Sequence, residues 1–141
     1  MGLFDRFKGT PSIEMTPSLA FVAAFIYMIA ADGVIEDEEI NHLTATLGSL
    51  PNSGQLFDLA VQYVKKNSVE TFIKEAAPVL SYPQKLSILI NILDSALSDG
   101  DAATDEQELF NKFLQGFGIP EETLQSVFDV LILKNDRSIF A

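Results

Sequence analysis

Two stretches of fifteen residues decide the fold: LAFVAAFIYMIAADG at 19–33 and LSILINILDSALSDG at 86–100. Both are apolar around most of a helix, and both end in Asp-Gly, a pair that closes a helix and opens a turn. A shift of 67 residues aligns Phe21 with Ile88 and superimposes the two Asp-Gly pairs. We interpret these stretches as equivalent helices of two related halves that meet at the centre of the domain.

The similarity continues past the Asp-Gly pairs. After an insertion of two or three residues, Glu39-Ile40 falls near Glu108-Leu109, and Gly48 falls near Gly118. Each half therefore consists of an apolar helix, an Asp-Gly turn, an acidic helix start and an amphipathic helix. Amphipathic helices match one another easily by chance, so the shared turn and acidic start are what favour a true repeat with pseudo-two-fold symmetry.

Helical periodicity continues along the chain without sustained period-2 alternation, which predicts an all-α fold. Capping residues, prolines and glycines divide the sequence into about seven helices. We expect an amphipathic lead-in and linker over 1–15, a single helical domain over 16–134 and a tail over 135–141. The predicted helices cover about residues 17–31, 37–48, 53–66, 68–76, 82–98, 104–116 and 120–134.

The lead-in MGLFDRFKG places Leu3, Phe4 and Phe7 on one helical face. We expect this face to dock onto its own domain, with a membrane surface or a partner protein as the alternatives. Met1-Gly2 resembles the start of a myristoylation motif, but Arg6 stands where that motif needs Ser or Thr.

Composition excludes several classes of function. The chain has 141 residues, of which 48% are hydrophobic, so it forms one globular domain rather than a disordered segment. The net charge of -11 disfavours nucleic acid and favours cations and basic proteins as partners. There is no cysteine, which removes disulfides and thiolate chemistry and fits the cytoplasm.

The longest apolar run, residues 19–31, indicates a buried helix rather than a membrane span. As a helix it would be about 20 Å long, short of the roughly 30 Å hydrocarbon core of a bilayer. We therefore expect no transmembrane segment and a cytoplasmic protein, with peripheral attachment at the inner face of the membrane through the lead-in as a variant.

The acidic turns are the candidate functional site. The residues are Asp32, Glu36 and Glu39 in the first half and Asp99, Asp101, Asp105 and Glu108 in the second. Oxygen-only ligands suit a hard cation, so Ca²⁺ or Mg²⁺ is the candidate cofactor. The EF-hand pattern fails, because its sixth position counted from Asp99 is Thr104 instead of glycine. Carboxylates at helix starts also cap free N–H groups, so capping alone is the competing interpretation.

Outside the acidic turns, the residues with chemical potential are Asp94 and His42, and the sequence has no recognised catalytic motif. Asp94 lies within an apolar helix, at the position where the first half has Tyr27. If it is buried it needs a partner, so it would hydrogen-bond a tyrosine or a helix N-terminus or complete an acidic site, and the alternative is a solvated position at a helix edge. His42 is the single histidine and is interpreted as a surface residue. With no G-x-S-x-G and no phosphate-binding glycine loop, we expect no enzymatic activity.

At AADGVIEDEEI (30–40) and ALSDGDAATDEQELF (96–110), the sequence resembles the TerB-like tellurite-resistance family. The resemblance covers essentially the whole chain, lead-in included. It implies an all-helical domain with a pseudo-two-fold, an acidic surface cluster and a role in bacterial responses to tellurite, phage and metal stress. Related domains occur in membrane-anchored DnaJ-like co-chaperones. The family brings no settled chemical activity.

Residues and resemblance together predict a non-enzymatic acidic interaction module of a bacterial stress-response system. Such a module would recruit protein partners, a membrane protein among the candidates, through its acidic face. The alternative is a divalent-cation sensor or buffer that uses the Asp-Gly turns. The sequence leaves the partner and the oligomeric state open.

Overall fold

The computed structural model describes residues 13–31, 43, 45, 48, 52–98 and 104–141. This part of the chain contains helices and no strand, which confirms the predicted all-α class. The predicted helix over 37–48 lies mostly outside the described residues, although Leu43 and Ala45 are helical. The described helices are α1 (Pro17–Ala30), α2 (Ser53–Lys66), α3 (Val69–Ala76), α4 (Tyr82–Ser98), α5 (Thr104–Phe117) and α6 (Glu121–Asn135), with 3₁₀ turns at Ala77–Val79 and Arg137–Phe140.

Side-chain caps fix the starts of α1, α3 and α4. The Thr16 hydroxyl accepts a hydrogen bond from the Leu19 N–H at 3.2 Å, with Pro17 at the first helical position of α1. At the start of α4, the Ser81 hydroxyl accepts from the Gln84 N–H and the Gln84 side chain accepts from the Ser81 N–H. This reciprocal capping box begins one residue before position 82, where the sequence predicts the helix to start.

Helix contacts follow the order that the repeat predicts. Among the described helices, α1 packs most extensively on α2, and α4 packs most extensively on α6. These are equivalent pairs, because the repeat aligns α1 with α4 and α2 with α6. α1 and α4 also contact each other. α1 is the more deeply buried of the two, with Leu19, Val22 and Phe25 at its core.

α3 lies outside the repeat and joins the halves through aromatic contacts. Its Phe72 is fully buried, with ring centroids 5.1 Å from Tyr27, 6.1 Å from Tyr63 and 5.9 Å from Phe113. α3 also approaches α5 closely: a Cβ atom on Gly116 would lie 2.2 Å from Cγ2 of Ile73. A glycine at this point of α5 therefore allows the two helices to touch.

The predicted buried faces need three corrections. Helical periodicity predicts that Leu59 of α2 and Phe128 of α6 face inward, but they are 37% and 36% exposed. Tyr63 was not predicted in the core, yet it is among the largest fully buried side chains, and its hydroxyl donates to Glu75. A tyrosine can bury its ring and keep its hydroxyl at a polar partner, so the polar hydroxyl makes a core tyrosine hard to recognise in the sequence.

The predicted start of the tail at residue 135 falls inside α6, since Asn135 is still helical.

Candidate functional site

The structure describes two of the seven acidic residues predicted as cation ligands. Asp105 and Glu108 lie in the first two turns of α5, and both are exposed. Asp32, Glu36, Glu39, Asp99 and Asp101 lie outside the described residues, as does His42. Across 13–31, 52–98 and 104–141, no three carboxylate or histidine side chains come together as a metal site would require. The cation site therefore stays a prediction.

A pocket of about 520 Å³ opens between the C-terminal half of α4 and helices α5 and α6. Its walls are mostly apolar, and Met28 of α1 also reaches it. The volume lies within the range of about 300–1,000 Å³ that is usual for ligand sites. The apolar lining consists of Met28, Ile92, Leu93, Ala96, Leu97, Phe110, Leu114, Leu124 and Phe128.

The polar side chains among the described residues that line the pocket are acidic or neutral. They are two glutamates and three amides, without a lysine or an arginine. Glu106 is 9% exposed and stands on the α5 side, whereas Glu121 is exposed at the start of α6. The amides are Gln107, Asn111 and Gln125. Asp105 and Glu108, the predicted ligands, do not line this pocket.

Asp94 lies between the pocket-lining residues of α4 and binds the end of α6. The Lys134 ammonium donates to both carboxylate oxygens at 3.0 Å, and the Asn135 amide donates to Oδ1 at 3.0 Å. The Asp94 side chain is 19% exposed and that of Lys134 58% exposed. Among the partners considered from sequence were a tyrosine and a helix N-terminus, but the contacts seen here are with the C-terminal turn of α6.

Tyr27, the residue of α1 equivalent to Asp94, holds the end of α2. Its hydroxyl donates to the Asn67 carbonyl at 2.7 Å, just past the last residue of α2. Burial, reinforced by the negative charges of Glu75 and Glu70, raises the pKa of Tyr27 to about 12. Burial also raises the pKa of Tyr63, together with its hydrogen bond to Glu75. Both phenols are therefore neutral donors throughout the physiological range.

A comparison with known families decides the identity. The family model described as tellurite resistance protein TerB matches residues 18–128. The chain belongs to the TerB family. The match confirms the resemblance seen at the two Asp-Gly turns and includes both central helices. Searches among curated proteins and among solved structures returned no match.

The TerB match leaves the pocket and the last part of α6 without an assigned role. Sequence reasoning missed the pocket because a cavity depends on how whole helices pack, not on the pattern of any one helix. The partner of Asp94 did leave a signal. Lys134-Asn135 repeats Lys66-Asn67 at nearly the same offset that relates Asp94 to Tyr27.

None of the helices in the described part of the chain has the length and apolar character of a membrane span.

Proposed function

We propose that this TerB-family chain is a non-enzymatic acidic interaction module of a tellurite-resistance-like stress-response system. Its partner site is the pocket between α4, α5 and α6, and its ligand is a basic amphipathic helix of a partner protein. The observation that carries this proposal is the composition of the described pocket lining, which is mostly apolar and includes two glutamates but no basic residue.

The pocket chemistry supports a helical ligand over a small polar metabolite. An amphipathic helix binds by inserting apolar side chains at i, i+3 or i+4 into a hydrophobic groove. A pocket of about 520 Å³ can accept two or three such side chains. The exposed Glu121 carboxylate then lies beside the polar flank of the bound helix. Lysines or arginines on that flank complete the charge complementarity.

The overall charge acts in the same direction. A net charge of -11 attracts basic segments at long range and raises their association rate at low ionic strength. Acidic helices are repelled by the same field. The module would therefore select partners by charge first and by apolar fit second.

A direct test uses a fluorescein-labelled synthetic peptide of leucine and lysine that forms an amphipathic helix. We expect saturable binding to the full chain in fluorescence anisotropy, with an affinity that falls as NaCl is raised. A matched leucine–glutamate peptide should not bind. Ala96 lines the pocket, so Ala96→Phe should fill it and reduce binding of the basic peptide.

Two adjacent glutamates provide a matched pair of variants. Glu121 lines the pocket and Glu122 does not, although both are exposed in the first turn of α6. Glu121→Gln should weaken peptide binding about two- to fivefold, as expected for a partly screened charge pair worth about 0.5–1 kcal/mol. Glu122→Gln should leave it nearly unchanged. Equal effects of both variants, or none with Ala96→Phe, would place the peptide elsewhere on the acidic surface.

The alternative function is a divalent-cation sensor or buffer built on the Asp-Gly turns. Asp105 and Glu108 support it in so far as both are exposed and so open to a cation from solvent. For a dissociation constant of 10–100 μM, 1 mM Ca²⁺ should stabilise the protein by roughly 1.4–2.7 kcal/mol. NaCl at matched ionic strength is the control, and replacing Asp99 and Asp101 with Asn should remove the specific part. If Ca²⁺ and Mg²⁺ do no more than NaCl, the interaction module stands without this function.

A further inference from the structure

The end of α6 and the 3₁₀ turn after it expose large apolar side chains to solvent. Val130 is 63% exposed, Leu133 61%, Ile139 53% and Phe140 86%. We call these four residues the C-terminal apolar surface. They all lie beyond residue 128, where the match to the TerB family ends, so the proposed pocket function does not account for them.

The internal repeat shows that the fold itself does not require apolar residues there. Aligning Lys66-Asn67 with Lys134-Asn135 pairs α2 with α6 at an offset of 68. On this alignment, Val130 corresponds to Gln62 and Leu133 to Lys65, and both residues of α2 are exposed. The same outward positions are therefore polar in the first half and apolar in the second. Exposed apolar residues that the fold does not need indicate a binding surface.

The segment that carries this surface differs in charge from the whole chain. Residues 126–141 contain Asp129, Asp136, Lys134 and Arg137 and so have no net charge, which leaves the entire charge of -11 on residues 1–125. Lys134 is already bound to Asp94. An anionic bilayer would be repelled by the rest of the molecule, and one remaining arginine offers little compensation. A basic protein would find its electrostatic complement elsewhere on the chain.

We propose that the C-terminal apolar surface is the interface of a two-fold homodimer. A neutral, apolar patch on an otherwise acidic protein suits a second copy of the same patch, because an isologous interface must be self-complementary. If two α6 helices cross antiparallel around the axis, Val130 of each copy lies beside Leu133 of the other. Together the four side chains expose on the order of 400 Å², and an interface that included them and flanking polar residues would approach the roughly 600–800 Å² per partner of a specific dimer.

The dimer leaves the proposed pocket open. Helical geometry at about 100° per residue puts Val130 and Leu133 on a different side of α6 from Phe128, which lines the pocket. A homodimer would therefore present two pockets, and linked pockets bind a repeated or clustered partner with higher avidity.

The first test measures the mass of the full chain by analytical ultracentrifugation from 1 to 300 μM. We expect a monomer–dimer equilibrium that tightens as NaCl is raised, because salt screens repulsion between the two acidic bodies. A chain that remains monomeric at 300 μM in 0.5 M NaCl overturns the proposal. Co-sedimentation of such a monomer with phosphatidylserine–phosphatidylcholine vesicles would assign the surface to lipid instead.

The second test uses variants that the repeat itself supplies. Val130→Gln with Leu133→Lys installs the α2 residues at the equivalent exposed positions, so the helical circular dichroism should persist while dimerisation weakens at least tenfold. Tyr82→Lys is the matched control, since Tyr82 is 54% exposed on α4 and also gains a positive charge. Its dimer constant should change less than twofold. A dimer that survives the double substitution uses another face and contradicts the proposal.

The third test probes the crossing itself. A chain with Leu133→Lys and another with Val130→Glu should each be monomeric, because each places a charge against an apolar side chain at both contacts. Mixed one to one, they should form a heterodimer with one Lys–Glu contact and one unchanged Val–Leu contact. Failure of the mixture to associate, with both chains folded, would exclude the antiparallel pairing of Val130 with Leu133.

Discussion

The two halves of the chain hold equivalent helix ends with different chemistry. In the first half, Tyr27 of α1 donates a hydrogen bond to the Asn67 carbonyl at the end of α2. In the second half, Asp94 of α4 accepts hydrogen bonds from Lys134 and Asn135 at the end of α6. Tyr27 and Asp94 are 67 residues apart, as the aligned Asp-Gly pairs are. The repeat therefore keeps the place of the contact and changes its type.

Both helix ends also share a cap that does not differ between the halves. The Asn67 amide donates to the Tyr63 carbonyl at 3.0 Å, and the Asn135 amide donates to the Leu131 carbonyl at 2.9 Å. In both cases the side-chain amide donates to the carbonyl four residues earlier, and the Tyr63 carbonyl also accepts the backbone N–H of Asn67. The common element is thus a Lys-Asn helix end with a side-chain cap. The contact from the central helix to this end differs between the halves. We call Tyr27–Asn67 the first tether, and Asp94 with Lys134 and Asn135 the second tether.

Depth of burial explains why the tethers differ. Tyr27 is 7% exposed and its ring packs on Phe72, so a neutral donor avoids placing a charge in the core. Asp94 is nearer to solvent and faces a half-exposed ammonium, where an ion pair needs little desolvation. The first tether is mainly apolar burial with one hydrogen bond, and the second is mainly electrostatic. Perturbations of packing, pH and salt should therefore separate them.

Removing the tyrosine ring should have the largest effect. Tyr27→Ala deletes a buried aromatic side chain and its hydrogen bond, and should lower the free energy of unfolding by about 3–5 kcal/mol. Asp94→Ala, the equivalent change in the second half, should cost about 1–2 kcal/mol, since it removes a partly exposed charge-assisted contact. Urea denaturation followed by circular dichroism measures both. Equal losses would show that the halves do not differ in the way the burial indicates.

Alkaline pH should weaken the first tether next most strongly. The pKa of Tyr27 is raised from 10.0 to about 12 in the folded protein. A raised folded-state pKa gives stability that is complete below pH 10 and is lost as pH rises from 10 to 12. Two pKa units correspond to about 2–3 kcal/mol.

The measurement is the melting temperature from pH 8 to 12 in the full chain and in two variants. Tyr27→Phe should make the decline shallower, because phenylalanine has no proton to lose. The remaining decline comes from Tyr63, whose pKa burial also raises. Tyr82→Phe, at an exposed tyrosine, should leave the decline as it is. If Tyr27→Phe and the unchanged chain decline in parallel, ionisation of Tyr27 does not control alkaline stability.

The comparison of the two halves also shows which structural features can be predicted from the sequence. Helix starts such as Thr16 and Ser68 were predictable because a cap depends on residues three or four apart. The repeat was visible because apolar helices and Asp-Gly pairs leave a periodic pattern. The exposure of Leu59 and Phe128 was not predictable. Both lie on apolar stripes, and which part of a stripe is covered depends on how the helices pack against one another. The pocket depends on the same packing.

The partner of Asp94 is partly predictable from the sequence. Extending the repeat to Lys66-Asn67 and Lys134-Asn135 places an ammonium near Asp94, but the domain predicted from the sequence ends at Lys134. The predicted cation ligands differ again. Asp105 and Glu108 lie on α5 as predicted for a helix start, but a ligand set needs the relative position of all seven residues.

Salt should separate the second tether from the first. Asp94→Asn removes the charge and should cost about 1 kcal/mol in low salt, as expected for a partly exposed ion pair. In 1 M NaCl the cost should shrink, because screening already weakens the pair in the unchanged chain. Tyr27→Phe should cost a similar amount at both salt concentrations, since its hydrogen bond is uncharged. A salt-independent Asp94→Asn effect would mean that the amide contact, not the ion pair, holds the end of α6.

The smallest effects should come from the two caps, and they test the repeat most directly. Asn67→Ala and Asn135→Ala each remove one amide-to-carbonyl hydrogen bond at a helix end, worth about 0.5–1 kcal/mol. Asn135 additionally donates to Asp94, so its replacement should cost more by the value of that contact. A double-mutant cycle between Asn135→Ala and Asp94→Ala isolates this difference.

The same cycle between Asn67→Ala and Tyr27→Phe serves as the reference in the first half. There the tether reaches the backbone carbonyl of Asn67 instead of its side chain, so the two changes should be additive. A positive coupling energy in the second half with none in the first is the expected outcome. Coupling of the same size in both halves would mean that each tether orders the whole C-terminal end of the helix it contacts. The exchange of tyrosine for aspartate would then have changed the chemistry of the contact but not its structural role.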